Sequence, residues 1–89
     1  MEINSTKNIV SVNCESSSSL ATLTIINDNI VVATYKSNPD VRYTYIMPTT
    51  GNLSRLVECD SAGKFVASFV KPFASWTTKT TPEGVSVPL

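Results

Sequence analysis

The chain has 89 residues, of which 42% are apolar and 16% charged, and its seven basic and seven acidic side chains cancel. That length makes one domain with one modest core and excludes a second domain or a core built around a deep active-site cleft. Zero net charge supplies no global positive field for duplex DNA or an anionic membrane, so contact with an anion must come from a local patch.

In chain order, the N-terminal stretch Met1 to Val10 lacks the basic head and apolar run of a signal peptide. The longest purely apolar run, Ile30 to Ala33, is far too short to span a bilayer. A cytoplasmic chain with no membrane partner is therefore expected. Residues 1–16 read as an N-terminal extension carrying a short strand at Ile9, Val10 and Val12. Ser16 to Ser19 is a polar turn. Leu20 to Ile26 is rich in β-branched residues, with Ala21, Leu23 and Ile25 on one face. Asn27-Asp28-Asn29 forms a turn, since these side chains tolerate left-handed backbone. Ile30 to Tyr35 completes a hairpin. After a second turn at Lys36 to Asp40, Val41 to Met47 forms a further strand. Its alternation sets Val41, Tyr43, Tyr45 and Met47 on one face and Arg42, Thr44 and Ile46 on the other.

Pro48 ends the strands. Thr49, Thr50 and Asn52 are candidate helix caps. Leu53, Leu56 and Val57 recur at the spacing of one helical face, in a helix ending near Asp60. Ser61-Ala62-Gly63 breaks it. A second helix is predicted from about Lys64 to Val70 and is stopped by Pro72. Residues 74–89 form a threonine- and proline-rich tail, read either as a frayed end or as a strand added to this sheet or to a neighbouring subunit. The order β-β-β-β-α-α implies an α+β fold, a small antiparallel β-meander with two short helices packed on one face.

Cys14 and Cys59 form no CxxC pair and read as buried thiols. With two cysteines and no histidine, no structural zinc site is expected. Neither the cysteines nor the serines have a histidine base to activate them. Glu58 and Asp60 stand two apart at a helix end and do not face each other. The three glycines form no phosphate loop. The chain is accordingly expected to be no enzyme and to need no cofactor.

The residues from about Ser17 to Phe73 resemble the KTSC domain, named for its occurrence at the C-terminus of some lysyl-tRNA synthetases. The marks are Tyr43-Thr44-Tyr45 followed by Met47-Pro48, then Asp60-Ser61-Ala62-Gly63-Lys64-Phe65, then the Val70-Lys71…Phe73 ending. Residues 1–16 and the tail depart from the pattern. The resemblance implies the fold, residues 17–73 as the domain, and RNA binding of the kind suggested for the family.

Binding chemistry is better supplied than catalysis. Tyr43 and Tyr45 share a strand face and could stack on a base, or pack in the core with hydroxyls at its rim. Arg42 and Arg55 could meet phosphates or be solvated. Ser61, Gly63 and Lys64 open a helix and form either an anion site or a plain cap. Lys71 and Trp76 flank the last helix, the tryptophan as a stacking platform, a core residue or an interface residue. These residues together suit a small anionic nucleotide such as a cyclic dinucleotide. By analogy of size and chemistry with phage sponge proteins, the expected role is a phage-encoded homo-oligomer, a dimer or tetramer, that sequesters such a signal in the host cytoplasm and blocks bacterial immune signalling. An RNA-binding module and a protein-interaction module docking through the tail are the alternatives.

Overall fold

Strand formation follows the alternation of apolar residues along most of the chain. A computed structural model describes residues 3–89; Met1 and Glu2, the start of the stretch read for signal-peptide features, lie outside the described residues. Seven strands form one sheet: β1 (Ile3–Thr6), β2 (Ile9–Val12), β3 (Leu20–Ile26), β4 (Ile30–Tyr35), β5 (Asn38–Ile46), β6 (Trp76–Thr80) and β7 (Ser86–Pro88). Each pairs antiparallel with the next in sequence, so spatial order equals chain order. The protein is mostly β with some helix. Two short helices, α1 (Asn52–Glu58) and α2 (Ala62–Phe65), interrupt the meander between β5 and β6, and α2 continues as a π-helical segment, Val66–Val70.

Register aligns the apolar residues into rows. Val10, Ile25, Val31 and Tyr45 stand side by side across β2 to β5, and Val12, Leu23, Ala33 and Tyr43 form the next row. These residues are buried, apart from the half-buried Tyr43. Leu56, Phe65, Val66 and Val70 from the helical segment join them in a single apolar cluster. Full burial of one such side chain stabilises the fold by about 1.5–3 kcal/mol. Phe65 is the largest side chain sealed completely within it, with Leu20 and Leu56 beside it at the same full burial.

Where the strands differ from sequence expectation, local chemistry explains the difference. The strand expected from Val41 begins at Asn38. The pairing jumps between Thr34↔Arg42 and Tyr35↔Asn38, so Pro39 sits in a bulge where its missing N–H breaks no ladder bond. β1, whose four residues INST include one apolar side chain, carries no alternation of its own and is held by pairing with β2. Of the readings open for the tail, the strand added to this sheet is the one found. Trp76–Thr80 pairs with β5, and Ser86–Pro88 folds back on β6.

The first helix is capped from a distance. Gly51 occupies its cap position at φ 88° and has no side chain to offer. Asp28, in the β3–β4 turn, accepts the Gly51 and Leu53 amides at 2.7 and 2.8 Å. The fully buried Asn52 donates from Nδ2 to the carbonyls of Asp28 and Thr49. None of Thr49, Thr50 and Asn52 therefore acts as the expected side-chain cap.

Candidate functional site

The pleat of β4 and β5 sends Tyr35, Tyr43 and Tyr45 to the same side of the sheet. The Tyr35 and Tyr45 hydroxyls share a hydrogen bond of 2.9 Å. The Tyr35 and Tyr43 rings meet edge to face, with centroids 5.3 Å apart and planes at 78°, the arrangement favoured by the ring quadrupoles. Tyr45 is buried, whereas Tyr35 and Tyr43 are half-buried. Burial, reinforced by the Tyr35 hydrogen bond, pushes the Tyr45 phenol above its ordinary value. Its hydroxyl thus stays protonated near neutrality and serves as a hydrogen-bonding group rather than a base.

The π-helical segment brings a cation to this cluster. The Lys71 amide closes on the Val66 carbonyl at 2.9 Å, five residues back. This wider turn ends the helix with Lys71 Nζ 5.1 Å from the centroid of the Tyr35 ring. Such cation–π contact contributes about 0.5–1 kcal/mol at an exposed site. π-turns of this kind occur frequently at functional sites.

Tyr35, Tyr43, Tyr45 and Lys71 line an open cavity of about 480 Å³, together with Ser37, Asn38, Thr77 and Leu89. That volume is within the ~300–1,000 Å³ typical of small-ligand sites. No acidic side chain is found among its described lining residues. Lys79 stands opposite Tyr43 in the β5–β6 register and adds positive charge beside the cavity. The site therefore offers flat rings, hydroxyls, the Asn38 amide and a cation, suited to a ligand with a planar face and an anionic group.

No family model, no curated protein and no solved structure matches this chain.

Of the residues singled out in the sequence, Tyr43, Tyr45 and Lys71 converge here. Arg42 is exposed on the opposite sheet face, beside Thr34, Asp40 and Thr80. Arg55 borders a separate, more apolar hollow of about 300 Å³ with Met47, Phe69 and Phe73. Ser61 is occupied in capping, its Oγ accepting the Lys64 amide at 3.2 Å. Lys64 pairs with Asp60 at 3.3 Å, both well exposed. At Gly63 the chain passes close to the serine loop, and an added Cβ would lie 3.4 Å from Ser19 Oγ. These three residues form the cap of the four-residue helix α2 and do not reach the tyrosines. Trp76 opens β6 on the face opposite the cavity, with Nε1 donating to Thr78 Oγ1 at 2.9 Å.

Tyr35 is the principal residue that sequence reasoning passed over. A signal for it was present, since Val31, Ala33 and Tyr35 alternate onto one face of the strand whose partner carries Tyr43 and Tyr45. Both cysteines are free, Cys14 buried and Cys59 half-buried. Burial raises both thiols above their usual value, which keeps them protonated. Among the described residues no group of three or more metal-ligating side chains occurs, and no helix is long and apolar enough to cross a membrane.

Proposed function

We propose that this chain is a non-catalytic binding module whose tyrosine cavity takes a small anionic ligand with a flat ring, a nucleotide. One observation carries the reading: three tyrosines and Lys71 converge on a single open cavity of about 480 Å³. The half-buried Tyr35 and Tyr43 supply ring surface for stacking on a base, and Lys71 supplies the counter-charge for a phosphate. Protonated Tyr45 and the Ser37 and Asn38 side chains supply directional hydrogen bonds. In this reading the helices lie on one face of the sheet and wall the cavity on one side.

The biological role within this proposal is capture of a nucleotide signal in the cytoplasm of a bacterial host, as a phage-encoded sponge would perform it. The resemblance to the KTSC domain rests on Tyr43-Thr44-Tyr45 with Met47-Pro48 and on the two marks that follow, and the cavity argument is independent of it.

Calorimetry of the intact chain with AMP, with a cyclic dinucleotide and with a short single-stranded RNA tests the reading. Micromolar binding of AMP or the cyclic dinucleotide, weakened at least tenfold by Lys71→Ala, is expected. Binding confined to the RNA, with affinity falling steeply as salt rises, replaces the reading with RNA recognition. Absence of heat and of thermal shift with all three overturns nucleotide binding altogether.

A further inference from the structure

The face of the sheet turned away from the apolar cluster carries its own apolar row. Ile9, Ile26, Ile30, Ile46 and Trp76 are consecutive cross-strand partners in β2, β3, β4, β5 and β6. None is fully buried: the three central isoleucines are half-buried, Ile9 is 49% and Trp76 56% exposed. The adjoining row contains Thr24, Val32, Thr44 and Thr78. Among the described residues of β2 to β6, the charged side chains that the pleat turns to this face are Arg42 and its neighbour Asp40, which are of opposite sign and stand away from the isoleucine row.

We infer that this face is the contact surface between two copies of the chain, packed sheet against sheet with Trp76 and the isoleucine row as its apolar strip. Charge is the first argument. Surfaces are normally rich in charge, and the cores of protein interfaces are depleted of it while enriched in aromatic residues. A face whose two charges, Arg42 and Asp40, cancel meets its own copy without electrostatic opposition.

Area is the second argument. The seven strands, spaced ~4.8 Å apart with two or three outward residues each, make a face of about 34 by 20 Å. With side-chain relief that approaches the ~800 Å² per partner of a standard stable interface. Flat β-branched faces pack about 10 Å apart in sandwiches, with strand directions offset by roughly 30°. A two-fold axis lying between the sheets sets each isoleucine row against the other, which makes the surface self-complementary.

The cavity lined by Tyr35, Tyr43 and Tyr45 is on the other side of the sheet. Such a dimer therefore leaves both cavities open, one per chain, and no ligand is shared between these two copies. The inference does not depend on what the cavity binds.

Sedimentation equilibrium of the intact chain, Ile46→Lys and Trp76→Glu, with circular dichroism and melting of each, tests it. The intact chain is expected at twice its 9.6 kDa mass, with both variants folded and monomeric at the same concentration, their association weakened at least a hundredfold. Trp76 fluorescence of the intact chain, which requires no variant to fold, should shift to longer wavelength on dilution through the dissociation range. A monomeric intact chain with concentration-independent fluorescence overturns the inference. So does a dimer that both folded variants retain, because the contact then lies elsewhere.

Discussion

Asp28 and Leu53 are 25 positions apart in sequence, yet the Asp28 Oδ1 accepts the Leu53 amide at 2.8 Å. Its second oxygen accepts the Gly51 amide. One carboxylate on a hairpin turn thus begins a helix that has no cap of its own, and so fixes the path of the chain out of β5. Asp28→Ala should destabilise the fold by about 2 kcal/mol, the sum expected for a lost cap and charge-assisted bonds. Asp28→Asn, which keeps one acceptor, should cost less. Urea unfolding at neutral pH measures both. A loss below about 0.5 kcal/mol for the alanine variant would show that α1 finds another cap.

Gly51 and Gly63 give opposite expectations for the same substitution. Gly51 holds φ 88° with nothing within 4 Å of an added Cβ, so its cost is purely that of left-handed backbone. Gly51→Ala should lose about 1–2 kcal/mol. Gly63 has ordinary helical space, its nearest atoms being Ser19 Oγ at 3.4 Å and Ser17 Oγ at 3.6 Å. Gly63→Ala should be near neutral, because about 0.5–1 kcal/mol of helix propensity offsets the tightened contact. Equal losses for the two variants would contradict this assignment of their roles.

The parts of the fold legible in the sequence were those whose burial alternates. β3 and β4 stand where period-two patterning put them, the tyrosine-bearing strand begins three residues earlier than expected, and Tyr43 and Tyr45 share the face expected. β1 was not legible because one isoleucine in four residues carries no pattern; its partner supplies the pairing. The Asp28 cap was hidden for another reason. It joins residues that only the folded chain brings together, and the nearby Thr49, Thr50 and Asn52 fit the local rule better. The same limit applied to the site. Arginine, lysine and serine were selected by chemistry, whereas pleat and register decide location. Arg42 neighbours Tyr43 in sequence but points away from it. Trp76, paired with Ile46, is turned from the cavity although Thr77, the next residue, lines it.

The two thiols should differ in accessibility. Cys14 is buried in the apolar cluster, and its Sγ donates weakly to the Val12 carbonyl at 3.5 Å. Cys59, just after α1, is half-buried. Because burial raises both thiols, neither is a thiolate near neutrality, and labelling is limited by access. A disulfide reagent at pH 8 should modify Cys59 first and reach Cys14 at the rate of opening or unfolding. Equal rates in the folded chain would mean that Cys14 is not sealed.

Tyr45 makes stability depend on alkaline pH. Burial first, then the hydrogen bond it shares with Tyr35 and the neighbouring phenols, raises its folded value above the ordinary 10.0. The folded chain therefore keeps a proton that the unfolded chain releases. The stability contributed by this difference is fully present below about pH 10 and is lost as pH rises beyond it. The raised thiols of Cys14 and Cys59 add a loss of the same sign, beginning near their usual value of 9.0. Comparison with Tyr45→Phe isolates the phenol. At pH 7 the variant should lose about 0.5–1.5 kcal/mol, the net worth of one hydrogen bond, and its ring should still fill the cluster. Between pH 9 and 11 its stability should fall less steeply than that of the parent chain, bringing the two curves together or crossing them. Urea unfolding across that range supplies the measurement. Parallel curves at every pH would show that the Tyr45 phenol ionises as freely in the folded chain as in the unfolded one.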